Sequence, residues 1–140
     1  MGQDYDPRTA ALRDLWNFLE TRRDHDIIIG GDFNGEPMEG ELDKEGTVAW
    51  IMGEYGLMDA HAKLNDGPSP RTYRHGSKCI DQIYVSDRLL AENIILQTTI
   101  GDFDSFFTSD HRPVIIVIDS ATYFGADMLE DIPRQVRILH

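Results

Sequence analysis

Three short groups of polar residues stand directly beside apolar, strand-like runs, where burial penalises them unless they are paired or put to use. Gly31-Asp32-Phe33-Asn34 follows Ile27-Ile28-Ile29, at the C-terminal end of an expected strand, the end where open α/β sheets gather ligands. A purely local role is the alternative, since Asp and Asn bond their own backbone where a strand turns into a loop. Ile80-Asp81-Gln82-Ile83 lies inside the run Cys79 to Val85. Strand alternation puts Asp81 on the face of Cys79, Ile83 and Val85, the side that reads as core, so this carboxylate needs a cation, a histidine or a set of donors. The alternative is an edge strand with Asp81 in water, which Gln82 favours. Ser109-Asp110-His111-Arg112-Pro113 leads into Val114 to Ile118. Asp110 suits a metal through its carboxylate and His111 a phosphate through its imidazole, although such a pair also caps turns. Each group has a bland reading by itself; together, flanking the strands of one small domain, they point to a site.

The elements that must position them are legible from periodicity. Asp6-Pro7 opens a helix, with an acceptor at the cap and Pro at the first position, and Leu12, Leu15, Trp16 and Leu19 mark its core face. Ile27 to Ile29, closed by Gly30-Gly31, reads as a strand buried on both faces. A loop at Gly35-Glu36-Pro37 and a second helix follow, with Val48, Ile51, Met52 and Tyr55 on one stripe and Gly56 as its C-cap. Asn65 to Pro70 is turn-rich. Strand-like pieces then run around Thr72-Tyr73, Cys79 to Val85, Ile94 to Ile100 and Pro113 to Ile118. Asp119 to His140 has no clear period and reads as a tail or the start of a further segment.

Composition bounds the function. The chain has 140 residues, 25 acidic against 13 basic, a net charge of −12 and one cysteine. No apolar run approaches the roughly 18 residues of a membrane span, so no membrane partner is expected. Lone Cys79 excludes an intrachain disulfide scaffold or a thiolate metal cluster, and with no signal-peptide pattern at Met1-Gly2-Gln3-Asp4 the expected location is intracellular, cytoplasmic or nuclear. The acidic excess repels polyanions at long range, which weighs against tight nonspecific nucleic-acid binding but leaves open phosphate chemistry mediated by a divalent cation.

The motifs I-I-I-G-G-D-F-N (27–34), G-L-M-D-A (56–60), R-T-Y-R (71–74), C-I-D-Q-I-Y-V-S (79–86) and S-D-H-R-P-V (109–114), in this order over residues 7 to 118, resemble the C-terminal half of the endonuclease/exonuclease/phosphatase superfamily, the DNase I-like fold. The resemblance implies an α+β architecture, half of a four-layer α/β/β/α sandwich in which a mixed sheet is flanked by helices, with 1–118 as that half-domain and 119–140 outside it. It implies that Asp32 orients or deprotonates the attacking water, Asn34 holds phosphate oxygens, Asp81 fixes and charge-stabilises the His111 imidazole, and Asp110 with Asp32 binds a divalent metal. Mg²⁺ is expected, with Mn²⁺ as a substitute, because such a site takes a few carboxylate oxygens, retained water and substrate phosphate. The reaction is then in-line displacement at phosphorus.

Relatives are about twice as long, and their N-terminal half adds an Asn and a Glu to the metal site; Glu36, Glu39 and Glu41 follow G-D-F-N too closely to replace them. A lone half exposes the sheet face that meets the other sheet, so a homodimer or a separate chain supplying the missing half is expected. Arg71, Tyr73 and Arg74, with His75 and Lys78 nearby, are the candidate contacts to a DNA phosphate backbone. Asp102 and Asp104 read as solvated loop charges or extra metal contacts. Phe103, Phe106 and Phe107 read as core packing, with base stacking as the alternative. The leading expectation is metal-dependent, endonuclease-like phosphodiester hydrolysis on DNA, somewhat like the endonucleases of non-LTR retroelements. The alternatives are a phosphatase or phosphodiesterase for inositol phosphates, sphingomyelin or nucleotides, and an inactive fragment or interaction module.

Overall fold

A computed structural model describes residues 7–33, 48–67, 69–105 and 109–125. Five α-helices and five strands occur among them, besides a 3₁₀ turn at Phe103–Ser105: α1 (Pro7–Glu20), β1 (Ile28–Asp32), α2 (Val48–Glu54), β2 (Leu57–Asp59), α3 (Ala60–Asn65), β3 (Asp81–Ser86), α4 (Asp87–Ala91), β4 (Ile95–Ile100), β5 (Val114–Ile118) and α5 (Ser120–Phe124). The mixture of helix and strand expected from periodicity is present. No helix among the described residues is long and apolar enough to cross a membrane. Asn34, Phe106, Phe107, the loop 35–37 with Glu36, Glu39 and Glu41, and residues 126–140 of the expected tail lie outside the described residues.

The strands form two antiparallel sheets where the sequence reading expected one mixed sheet: three strands in the order β1-β3-β2, and the pair β4-β5. The second pair carries a register shift between Ile95 and Gln97, an irregularity that bends a strand and interrupts continuous pairing.

Alternation along β3 divides the core. Tyr84 joins Leu19, Ile51, Met52 and Leu57, so α1 and α2 cover one face of the three-stranded sheet. Val85 joins Ala60, Leu89, Ile94 and Ile95 on the other face, with Ile83 and Ile116 packed against them. The stripe read on α1 is oriented as expected, with Leu19 fully buried and Leu12 and Leu15 packed beside it. Trp16 sits at the margin, stacked on Trp50 with ring centroids 5.7 Å apart. Gly56 ends α2 in the left-handed region at φ 69°, the conformation its C-cap role requires.

One expectation about strands needs correcting, and one alternative falls away. β1 is not buried on both faces: only β3 pairs with it among the described strands, and Ile28 is 44% exposed on the face it shares with Val85. β3, conversely, is no edge. It is flanked on both sides, and Gln82 is buried, its Nε2 donating to the Cys79 carbonyl at 2.8 Å. Exposed Leu96, Ile115 and Val117 leave further apolar surface on the β4-β5 pair. Beyond β5 the chain forms α5, capped by the Asp119 side chain, which accepts from Thr122 N at 3.0 Å.

Candidate active site

The antiparallel register of β1 and β3 sets Asp32 directly opposite Asp81, so the two carboxylates share one face of the sheet. A loop bridge brings the third group to them. Tyr73 and His111 form an isolated antiparallel bridge, flanked by hydrogen bonds from Arg74 N to Asp110 O at 2.7 Å and from Arg112 N to Thr72 O at 2.8 Å. The segment 71–74 therefore runs alongside 110–112 and carries the imidazole to the mouth of β3. Locally, Ser109 Oγ accepts from His111 N at 3.1 Å, turning the chain so that Asp110 and His111 lie side by side.

His111 Nδ1 lies 2.8 Å from Asp81 Oδ2. With Nδ1–H donating there, Nε2 faces Asp32 Oδ2 at 3.9 Å and Asp110 Oδ1 at 3.8 Å. Those separations exceed a direct hydrogen bond. Asp81 is the most enclosed carboxylate of the set, 16% exposed at its side chain, against 41% for Asp32 and 50% for Asp110. The Asp81 hydrogen bond pushes the His111 pKa above the usual imidazole range; partial burial opposes this, and the charges of Asp81, Asp32 and Asp110 reinforce it. The imidazolium is thus favoured beside three carboxylates.

The same atoms suit a cation. Asp32, Asp81 and His111 each offer one ligand atom, and these lie within 4.8 Å of one another. Asp32 and Asp110 keep their carboxylates reachable from solvent, which fits a hard divalent ion that retains part of its water. Asp81 is engaged by His111 Nδ1 and a protonated imidazole has no lone pair to offer, which leaves the Asp32 carboxylate of this group, with Asp110 Oδ1 standing 3.8 Å from His111 Nε2.

Asp32, Asp81, Asp110 and His111 are therefore gathered in space, with Tyr73 beside them, its ring centroid 5.0 Å from that of His111. Arg71 and Arg74 lie at the rim, both exposed, and Arg74 Nη2 meets Asp104 Oδ1 at 3.3 Å. Asp104 is 96% exposed, a solvated loop charge as read from sequence. Phe103 departs from the core role expected for it. It belongs to neither core cluster, and the guanidiniums of Arg71, Arg74 and Arg112 surround its ring.

One residue the motifs did not single out is structurally central. Thr72 is fully buried, and its Oγ1 accepts from both Ile80 N at 2.9 Å and Asp81 N at 3.1 Å. It clamps the start of β3 at the residue that holds His111. The only hint in the sequence is a threonine in a polar loop seven residues before a buried strand, too common a pattern to single out.

No curated protein matches the chain. The Endonuclease/Exonuclease/phosphatase family matches it over residues 1–111, a stretch that contains Asp32, Asp81, Asp110 and His111. That family hydrolyses phosphoester and phosphodiester bonds, typically with a divalent metal, which accords with an imidazolium and clustered carboxylates on a partial DNase I-like α+β fold. The chain belongs to the endonuclease/exonuclease/phosphatase family.

Proposed function

We propose that this chain is a divalent-metal-dependent phosphodiesterase of endonuclease type, acting on DNA, with Mg²⁺ as its ion and Mn²⁺ as a substitute. The observation that carries the reading is His111, held by Asp81 at 2.8 Å with Nε2 turned toward Asp32 and Asp110 at 3.9 and 3.8 Å. Asp81 fixes the imidazole tautomer and stabilises its positive charge, the orienting role that a buried carboxylate plays toward a catalytic histidine. The protonated Nε2 donates to a phosphoryl oxygen, where negative charge grows during displacement. Asp32 orients the attacking water and accepts its proton, and Asn34 is proposed to hold a phosphoryl oxygen. Asp32 and Asp110 would hold the divalent cation, which would supply Lewis-acid polarisation of the phosphoryl group. Arg71 and Arg74 contact phosphate at the rim, and Tyr73, packed on His111, limits the imidazole to one orientation.

Plasmid nicking in Mg²⁺ tests this. Wild type is expected to convert supercoiled DNA to the nicked form, with Asp32→Ala and His111→Ala each slower by at least about 100-fold, the lower range for a lost acid–base group. Equal rates for the three proteins overturn the reading.

The net charge of −12 favours a second reading, small phosphoesters as substrates, because long-range repulsion penalises duplex DNA more than a small anion. Hydrolysis of bis(p-nitrophenyl) phosphate without nicking selects it. Activity on neither substrate leaves the interaction-module reading.

A further inference from the structure

Three guanidiniums gather around one aromatic ring at the edge of the site. Arg71 Cζ lies 5.2 Å from the Phe103 centroid, Arg74 Cζ 5.0 Å and Arg112 Cζ 5.6 Å. Like charges brought this close repel, and the carboxylate that pairs with one of them, Asp104, is almost fully exposed. Arg112 donates to the carbonyls of Arg71 and Ile100 at 3.2 and 3.4 Å and also to that of Gly101, while Arg71 donates to the carbonyls of Arg74 and Gly76 at 3.1 and 3.4 Å. Arg74 pairs with Asp104, whose near-complete exposure screens the interaction. Exposed Asp102 also lies in this loop. A local positive patch in a chain of net charge −12 is a place for an anion, and the Phe103 ring is the contact that its three cations share.

The patch is tied to the catalytic group through the backbone. Arg74 N donates to Asp110 O, Arg112 directly follows His111, and Gly101 N donates to Pro113 O at 2.9 Å. Main-chain pairing thus ties the segment that carries Arg71 and Arg74 to the one that carries His111.

We propose that Phe103 is a positioning residue, which presents Arg71 and Arg74 as a subsite for a second phosphate flanking the scissile one, so that substrates with consecutive phosphodiesters are preferred. The proposal rests on the phosphodiesterase reading and deepens it. Arg112, fixed by main-chain carbonyls, anchors the ring from the side of the catalytic loop.

The test compares wild type, Phe103→Leu, which keeps apolar bulk without a π face, and Phe103→Tyr, which restores the face. Binding of a fluorescein-labelled oligonucleotide is followed by anisotropy in EDTA, and hydrolysis of bis(p-nitrophenyl) phosphate, which has no flanking phosphate, is followed in Mg²⁺. Phe103→Leu is expected to weaken oligonucleotide binding about three- to tenfold, a larger factor than its effect on KM for the small diester, and Phe103→Tyr to recover most of the loss. Undiminished binding by Phe103→Leu, no recovery in Phe103→Tyr, an equal loss on both substrates, or no oligonucleotide binding by wild type overturns the subsite. Selective, rescued loss of oligonucleotide binding in a chain that hydrolyses neither the oligonucleotide nor the small diester supports the subsite and defeats the phosphodiesterase reading instead.

Discussion

Asp32 and Asp81 are direct cross-strand partners in the β1-β3 register, and both carry carboxylates on the same sheet face. Like charges directly opposite one another destabilise an antiparallel pair, by roughly 0.2–1 kcal/mol. The arrangement persists because something positive stands between them. His111 meets Asp81 at 2.8 Å and approaches Asp32 at 3.9 Å, so the imidazolium lies against both carboxylates.

Removing one of the two charges therefore separates stability from activity. Asp32→Asn is expected to leave the metal-free protein as stable as wild type or slightly more so, by up to about 1 kcal/mol, while phosphodiester hydrolysis falls sharply. Mg²⁺ is expected to raise the melting temperature of wild type more than that of the variant, since only wild type keeps this ligand. Thermal melts with and without Mg²⁺ check it; an equal Mg²⁺ shift in both proteins removes Asp32 from the metal site.

Asp81→Asn addresses the histidine. Its hydrogen bond is the largest cause of the raised His111 pKa, so the variant's imidazole is expected to titrate closer to the ordinary value of about 6.5. A histidine pKa raised on folding contributes stability that is fully present below the unfolded value and lost as pH rises through the folded value. The stability gap between wild type and Asp81→Asn should hence be widest in mild acid and shrink toward alkaline pH. NMR titration of the His111 ring protons, with denaturant melts at several pH values, measures both.

The candidate site was legible because Asp32, Asp81 and His111 each interrupt or adjoin an apolar run, and polar residues there demand an explanation. Their mutual contacts were not, since these depend on the β1-β3 register and on the bridge between Tyr73 and His111, two long-range pairings that leave no local pattern. Ile27 to Ile29 reads as doubly buried because three consecutive isoleucines carry no alternation; only the neighbours of β1 reveal that Ile28 faces outward. Gln82 misleads in the opposite sense, since its burial depends on a main-chain acceptor at Cys79. Phe103 looks like core by type and is held instead by arginines from two other segments.

Asp26 offers a pH test remote from the candidate site. Arg88 hydrogen-bonds its carboxylate, with Nε to Oδ1 at 3.0 Å, and Tyr123 donates to Oδ2 at 2.5 Å, so α4 and α5 are joined to the approach of β1. The Arg88 bond first, then that of Tyr123, holds the Asp26 pKa below its ordinary value. A depressed carboxylate pKa contributes stability that is present above the unfolded value and lost as pH falls through the folded one. Asp26→Asn is expected to cost about 1 kcal/mol at neutral pH, with the half-exposed Arg88 limiting the effect, and the gap to wild type should close below about pH 4. Urea melts between neutral pH and pH 3 decide it; a gap that does not change with pH argues against the carboxylate as its source.

Thr72 separates positioning from bulk. Its hydroxyl serves two part-buried main-chain donors, Ile80 N and Asp81 N, at the point where β3 begins and where the carboxylate that holds His111 is set. Thr72→Val preserves shape and volume but leaves both N–H groups unsatisfied, at about 1–3 kcal/mol for each buried donor that finds no water. Thr72→Ser keeps the acceptor and loses one methyl, a cost of about 1 kcal/mol. Stability should therefore fall further in the valine variant than in the serine variant. Activity gives the sharper distinction. A displaced Asp81 no longer holds Nδ1, so the valine variant, still folded below its melting temperature, should lose hydrolysis and show His111 titrating nearer its ordinary value, whereas the serine variant keeps both. Equal activity in folded Thr72→Val and wild type reduces Thr72 to a packing residue, and the clamp on Asp81 must then come from the β1-β3 ladder alone.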